Sequence, residues 1–537
     1  MNNLFRGLPF AIALLASPFA LAVGPGDRGA EPSGGARPNL LIVHTDEHNF
    51  RTLGCYRATL PPPQAFMWGE DAVVTTPNID GLAAGGALCT SFYASTPVCS
   101  PSRAAFVSGR YPQNTPVVTN NIPLSDDIVT FAEILRRQGY ATGYAGKWHL
   151  DGGGKPQWAP RRKFGFQDNR YMFNRGHWKQ LEDTPGGPRV KARTAAGGPT
   201  YGVSGADEKS FTTDFLADKT VEFIGEHKDE PFCFMVSIPD PHGPDSVRAP
   251  YDTMFLKQTY QTPRTFNKPD GNLPNWGRPS GGFNGMASYY GMVKCIDDNV
   301  GKILTALRSA GLMDKTIVVF TADHGDLRGE HHRQNKGVPY EGSAKIPMVI
   351  YYPEKIKAGT VIDESLACVD FLPTILGLMG VKTAGKEEGR DASSLFVTGK
   401  APDDWKDVTF IRSTGRAGEG SSSVGWLAAV SDRFKLVYSS ADGPWLFDLE
   451  KDPDELINFF GDPAYRETVR ELSREIVQYA KKHADPYARN AKVKADLDWA
   501  VAGTGEYTSA AVPRKVASSK PVGKRRKGKP KNSPSRE

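Results

Sequence analysis

Four apolar runs in this chain stop abruptly at clusters of acids, histidines and lysines. Asn39-Leu40-Leu41-Ile42-Val43 runs into Thr45-Asp46-Glu47-His48, and Tyr140 to Ala145 runs into Gly146-Lys147-Trp148-His149. Phe232 to Ile238 ends at Asp240-Pro241-His242, and Thr316 to Phe320 ends at Asp323-His324-Gly325-Asp326. Short continuous apolar runs suit strands buried on both faces. Ile346 to Tyr352 reads as one more strand. Between the strands lie helical patterns: Asp126 to Gln138, closed by Gly139, then Phe211 to Lys228 and Tyr289 to Leu307. Alternating strands and helices predict an α/β fold with a large, mostly parallel central sheet flanked by helices. In such sheets ligands bind beyond the carboxyl ends of the strands. The four polar clusters therefore converge on one edge by architecture.

After about residue 400 the pattern changes. Val408 to Arg412, Val424 to Val430, Phe434 to Tyr438 and Trp445 to Leu449 read as short strands, with a helix near Tyr465 to His483. This predicts a smaller C-terminal α+β domain with an antiparallel sheet. The ends read differently again. Arg6, the apolar stretch Leu8 to Ala22 and the motif Ala20-Leu21-Ala22 resemble a signal peptide. The expected order is a signal peptide at 1–22, a linker at 23–37, a catalytic domain at 38–400, the α+β domain at 401–500 and a disordered basic tail at 501–537. Export to the periplasm or outside the cell follows, and no later run resembles a transmembrane helix.

Charge would suggest a nucleic-acid partner, since the net formal charge is +6. Its placement argues otherwise. Residues 514–537 carry ten Lys or Arg and one Glu, so the tail alone accounts for +9. The remainder is near −4 once Arg6 is removed with the signal. No nucleic-acid partner is expected, and the sequence leaves the oligomeric state open.

Six cysteines are present and none forms a C-x-x-C pair, so they do not read as a disulfide framework, although one bridge stays open. Cys99 stands apart, in Cys99-Ser100-Pro101-Ser102-Arg103. Ser100 and Pro101 suit a helix start, which would put Cys99 at a helix N-terminus. The stretch resembles the C-x-P-S-R signature of the formylglycine-dependent sulfatases of the alkaline phosphatase superfamily. Ser108-Gly109-Arg110-Tyr111-Pro112 continues that signature. Thr76-Pro77-Asn78-Ile79-Asp80, with Leu82 and Gly86, resembles its lead-in. Gly139 to Leu150 resembles the family's second signature, and Trp445 to Leu449 with Asp452, Glu455 and Asn458 its C-terminal ending. The resemblance spans roughly residues 38 to 480.

The resemblance implies an alkaline phosphatase-like fold and a maturation enzyme that oxidises Cys99 to formylglycine. The hydrated aldehyde is a geminal diol. One hydroxyl attacks sulfur and the ester's alcohol leaves. The other hydroxyl then loses its proton and expels sulfate, restoring the aldehyde. A divalent cation is implied, with Ca²⁺ favoured and Mg²⁺ left open, and with Asp46, Glu47, Cys99, Asp323 and His324 as its ligands. Glu47 stands where most relatives carry a second Asp, and its longer side chain either reaches the metal or does not. Arg103 and Lys147 are implied to contact the diol, and His149 to take the proton that releases sulfate. His242 and Lys336 are implied to hold sulfate and protonate the leaving oxygen. His48, His331 and His332 fall near the same edge but read as structural.

Trp158, Arg161, Arg162, Lys163, Tyr171, Arg175, His177 and Trp178 follow no motif. Aromatic faces and cations suit an anionic sugar, so this stretch is a candidate subsite. The expected function is a sulfatase acting on a sulfated carbohydrate. A phosphodiesterase or phosphonate monoester hydrolase of the same superfamily is the alternative. A non-catalytic glycan-binding relative is disfavoured by the intact set Cys99, Arg103, Lys147, His149, His242 and Lys336.

Overall fold

Leu40 and Ile42 pack into one apolar cluster, Leu41 and Val43 into another, and all four side chains are buried. Alternate side chains of a strand point to opposite faces, so Asn39–Asp46 is covered on both sides. The computed structural model describes residues 37–266, 273–413 and 425–508. The signal-peptide reading and the basic cluster at 514–537 fall outside them. The described residues form one compact unit.

Asn39–Asp46 lies inside an eight-stranded sheet. The strand order is Thr360–Ile362, Ala87–Cys89, Met348–Tyr351, Thr316–Ala322, Asn39–Asp46, Phe232–Pro241, Ala141–Lys147 and Asp168–Phe173. The four central strands with polar ends pair in parallel. Met348–Tyr351 runs antiparallel to both neighbours, which makes the sheet mixed. Helices Cys99–Ser108, Phe131–Arg137 and Cys368–Met379 contribute to one covering layer. Helices Pro77–Gly85, Thr212–Glu226 and Met286–Ser309 contribute to the other. Gly146 lets two central strands approach closely. Its φ is +105°, and a Cβ there would sit 1.9 Å from the Ser237 carbonyl.

Some elements differ from the sequence pattern. The helix expected from Asp126 begins at Phe131, because Thr130 accepts from the Glu133 amide and caps it there. Asp168–Phe173 is an edge strand inside a stretch that reads as loop, and a hairpin, Leu181–Thr184 with Gly187–Val190, follows it.

The C-terminal strands Thr409–Ser413, Trp426–Val430, Phe434–Ser439 and Trp445–Asp448 form an antiparallel sheet, as expected. Helix Arg466–Lys482 packs on it through Val469, Leu472 and Ile476. The same core contains Leu327, Val338 and Tyr340 from the segment that follows Asp323. Helix Ala491–Ala502 closes this part, and Tyr507 still packs on Trp499 beyond it. All six cysteines are free thiols. Among the described residues, no helix is long and apolar enough to cross a membrane.

Candidate active site

Asp46, Lys147 and Asp323 stand at or just past the ends of three of the four central parallel strands. Cys99 is the first residue of helix Cys99–Ser108, whose every side chain is buried. The helix points its N-terminus at the sheet edge, where its dipole favours negative charge. Ligand atoms of Asp46, Cys99, Asp323 and His324 all lie within 4.8 Å of one another. The Cys99 sulfur is 3.3 Å from His324 Nε2 and 3.9 Å from Asp46 Oδ1.

Arg103 binds this cluster from one helical turn away. Its Nε donates to Asp323 Oδ2 at 2.9 Å and its Nη2 to Asp46 Oδ2 at 3.3 Å. Its Nη1 donates to the Lys147 carbonyl and to Ser237 Oγ, each at 2.8 Å. Arg103 thus orients both carboxylates. Lys147 Nζ also donates to Asp46 Oδ2. Burial would raise the Asp46 carboxyl, but Lys147, His242, Arg103 and His177 outweigh it and hold the group well below the usual carboxylate range. Asp323 goes the other way, raised by burial and by the like charge of Asp46.

These residues fit a divalent cation. A cation between the carboxylates would relieve their mutual repulsion. His324 hydrogen-bonds through Nδ1 to the Gly325 carbonyl at 2.9 Å, which leaves the Nε2 lone pair directed at the cluster. Without a cation, Asp323 lifts the imidazole to about 9 against the effect of burial, so a bound cation would take the place of the Nε2 proton. Two carboxylates, an imidazole nitrogen and the Cys99 sulfur make up the donor set. The carboxylate oxygens suit a hard cation.

Glu47 is outside this cluster. Its backbone amide donates to Asp323 Oδ1 at 3.1 Å, but its carboxylate turns away. Glu47 Oε2 lies 3.0 Å from His242 Nε2, and Oε1 lies 3.1 Å from Lys336 Nζ. The extra methylene and a φ of +64° carry the carboxylate to this basic pair. Burial would raise it, but His242 and Lys336 hold it below its ordinary range.

The other expected residues gather around Cys99. Burial would raise the Cys99 thiol, but Lys147 and Lys336 pull it well below an ordinary thiol. His149 is 6% exposed, its Nε2 lies 3.4 Å from Asn121 Oδ1, and burial keeps its imidazole near 4. It is therefore neutral at pH 7 and able to accept a proton. His242 Nε2 lies 2.9 Å from Lys336 Nζ, and its Nδ1 lies 2.9 Å from the Gly243 carbonyl. Below it, Lys179 donates to Asp240 at 2.6 Å and pins the strand end.

His177 completes the group. Its ring stacks on His242 at 3.5 Å and 9°, and its Nε2 lies 2.8 Å from Lys147 Nζ. Sequence reading placed it only in a loop rich in aromatic and basic residues. Nothing in its local pattern signals the contact, which depends on Asp168–Phe173 joining the sheet edge. The tryptophans of that loop do not offer open faces. Trp178 is 3% exposed and donates to the Arg175 carbonyl, and Trp158 packs on Phe173. Arg162 is occupied with the carbonyls of Leu124, Ser125 and Ile128.

The three other histidines expected near this edge lie outside the cluster. His48 bonds Thr45 and Thr52, and burial lowers it to about 3. His331 stacks on Tyr340 at 3.6 Å, and His332 on Phe266 at 4.0 Å.

Comparison with known proteins gives the same picture. A family model described as Sulfatase matches residues 38–381. A second, described as N-sulphoglucosamine sulphohydrolase, C-terminal, matches residues 329–482. The chain is 25% identical to an N-acetylglucosamine-6-O-sulfatase of Bacteroides thetaiotaomicron, over 84% of this chain and 87% of the relative. It is 27% identical to an ulvan-active sulfatase of Formosa agariphila, over 82% and 80% of the two chains. A solved structure in complex with its substrate D-glucosamine-2-N,6-O-disulfate superposes with a TM-score of 0.69 at 23% identity, covering 84% of this chain and 99% of that one.

Proposed function

The chain belongs to the sulfatase family and is a sulfuric ester hydrolase, and from that premise we propose that it removes sulfate from a sulfated carbohydrate. The observation that carries the reading is the surroundings of Cys99. A buried thiol at a helix N-terminus faces two carboxylates and an imidazole on one side and Lys147, Lys336, His149 and His242 on the other. Such a set of donors around a dry pocket stabilises a bound anion and the charge that develops during its transfer. The carbohydrate part is supported by relatives named for N-acetylglucosamine and ulvan, and by the neighbour that holds a disulfated glucosamine.

In this reading Cys99 is matured to formylglycine by a formylglycine-generating enzyme, and its hydrate supplies the nucleophilic oxygen. Asp46, Asp323, His324 and residue 99 would hold one Ca²⁺, which lowers the charge of the ester and of the nucleophile. Arg103 keeps the two carboxylates apart and aligned. Lys147 and Lys336 bind sulfate oxygens. His149, neutral at pH 7, accepts the proton from the oxygen on residue 99 as sulfate leaves. His242 and Lys336, hydrogen-bonded to each other, are the pair that would protonate the departing alcohol oxygen. Residues 1–22 would direct export to the periplasm or the medium. The catalytic part would run over 38–400 and the α+β part over 401–500.

The test has two parts. Mass measurement of the peptide across Cys99 reads the maturation. A panel of sulfated saccharides, aryl sulfates and phosphodiesters reads the substrate class. Unmodified Cys99 in an active preparation, or faster turnover of phosphodiesters than of every sulfate ester, would overturn this reading.

A further inference from the structure

His177 is held too firmly, and in too particular a place, to be a loop residue. Gly176 has a φ of +118°, and a Cβ there would sit 2.4 Å from the Trp178 indole. That close approach folds the Trp178 ring beneath the chain and turns the neighbouring imidazole outward. Trp178 is anchored by its bond to Arg175, and Lys179 by Asp240. The imidazole between them stacks on His242 and meets Lys147.

The contact with Lys147 fixes the tautomer. An ammonium donates and has no lone pair, so His177 Nε2 must accept from it. The ring proton is therefore on Nδ1, which has no partner among the described residues. A donor is left on the face of the ring away from the metal cluster.

Geometry says which part of the substrate that donor meets. Cys99, Asp46 and His324 form the fully buried floor of the site. The rim is less buried: the side chains of His177, His242 and Lys336 are 20%, 18% and 16% exposed. In-line displacement at sulfur sets the entering and leaving oxygens opposite one another, so the alcohol departs from floor to rim. The His177 ring lies on that exit. Beside it stands Tyr201, half-buried, 6.1 Å away, packed on Trp178 and covered by the exposed Lys155 ammonium at 4.7 Å. Tyr201 is the half-buried aromatic ring beside His177, where Trp178 is buried and Trp158 packs on Phe173 instead.

We propose that His177 recognises the alcohol side of the ester, donating from Nδ1 to a hydroxyl or ring oxygen of the sugar beside the scissile bond, with Tyr201 as the apolar wall of that subsite. This rests on the carbohydrate reading above. It sets His177 apart from the residues that grip sulfate, because its free donor points to the part of the substrate that changes from one sulfate ester to another.

The experiment compares kcat/KM for a sulfated monosaccharide and for an aryl sulfate without hydroxyls. The mature, metal-loaded wild type is measured beside His177→Leu, His177→Gln and Tyr201→Ala. Losing a hydrogen bond to a substrate hydroxyl lowers the sugar-to-aryl ratio about tenfold or more in His177→Leu, mostly through KM. Glutamine offers an acceptor to Lys147 and an N–H to the sugar, and recovers most of that ratio. Tyr201→Ala lowers the ratio about fivefold. Inhibition by the desulfated sugar weakens in His177→Leu, whereas inhibition by inorganic sulfate changes little. Equal losses on both substrates through kcat would overturn the proposal and make His177 a support for Lys147. A ratio within about twofold of wild type in both His177→Leu and Tyr201→Ala would also overturn it. A wild type that hydrolyses aryl sulfate and no sulfated sugar would instead remove the carbohydrate reading itself.

Discussion

The Lys435 ammonium lies 2.8 Å from the Glu455 carboxylate, inside the core shared by the C-terminal sheet and the segment that carries Lys336. The same ammonium donates to Glu341 and to the Pro339 carbonyl, each at 2.7 Å. Trp426, on the neighbouring strand, donates to the Gly337 carbonyl at 3.1 Å. The C-terminal sheet therefore grips residues 337–341 directly after Lys336. The C-terminal motif reads from sequence as carrying no chemistry. Its geometry gives it an indirect part, which is to hold the lysine that faces the substrate.

Breaking this grip should be costly. Lys435→Met keeps the length of the side chain but leaves Glu455 buried without its cation and Glu341 with Lys345 alone. Removing one partner of a buried charge pair costs roughly 3–5 kcal/mol. Chemical denaturation of Lys435→Met should show a loss of that order. A Lys435→Met, Glu455→Gln double variant should recover a substantial part of it. If the single variant lost less than about 1 kcal/mol, the triad would not be holding the loop.

The same triad makes stability depend on pH. Burial raises Glu455 to about 7, with the Glu341 charge adding to it against the pull of Lys435. Glu341 is lowered to about 2, because Lys435 and Lys345 outweigh its burial. A carboxyl whose folded pKa is raised binds more protons folded than unfolded. Its contribution is complete below about 4.5 and is lost as pH rises through about 7. Glu341 acts in the opposite sense, losing its contribution as pH falls from about 4.5 towards 2. Glu455→Gln removes the first effect. Its stability relative to wild type should rise by roughly 1–3 kcal/mol between pH 4.5 and 8, as read by denaturation at each pH. A flat difference across that window would contradict the shared-proton picture.

Arg103 should be needed for metal affinity more than for folding. Arg103→Lys keeps the charge but cannot donate to Asp46, Asp323, Ser237 and the Lys147 carbonyl together. Loss of such orienting bonds lowers metal affinity about 10–100-fold. Ca²⁺ titration of the metal-stripped variant measures this apart from turnover. Wild-type affinity in Arg103→Lys would show that the carboxylates are held by other means.

The strand ends carrying Asp46, Lys147, His242 and Asp323 were legible because an apolar run and its polar stop are adjacent in sequence. Cys99 and Arg103 were legible because one helical turn joins them. Their neighbours were not. Ser237 and Lys179 meet the site through partners 134 and 61 residues away. His177 becomes visible once an edge strand is added to the sheet, and that strand alternates too weakly to stand out. Trp158 and Trp178 look like a sugar platform in sequence because composition does not reveal that Trp178 is buried and that Trp158 packs on Phe173. The antiparallel course of Met348–Tyr351 was hidden for a similar reason, since strand direction depends on where the connection crosses.

Glu47 gives the sharpest division between sequence pattern and geometry. Its position matches a metal ligand, whereas its carboxylate lies against His242 and Lys336. A negative group there competes with sulfate for Lys336. Glu47→Gln removes the charge and keeps the size. Inorganic sulfate should then inhibit about fivefold more tightly, because Lys336 no longer has a resident anion to exchange. Ca²⁺ affinity should stay within about threefold of wild type, since the ligand cluster is untouched. A carboxylate that ligated the metal would give the reverse pattern, with Ca²⁺ affinity falling about 10-fold or more and sulfate inhibition unimproved. Measuring both constants on one variant separates the two arrangements, because each predicts a change where the other predicts none.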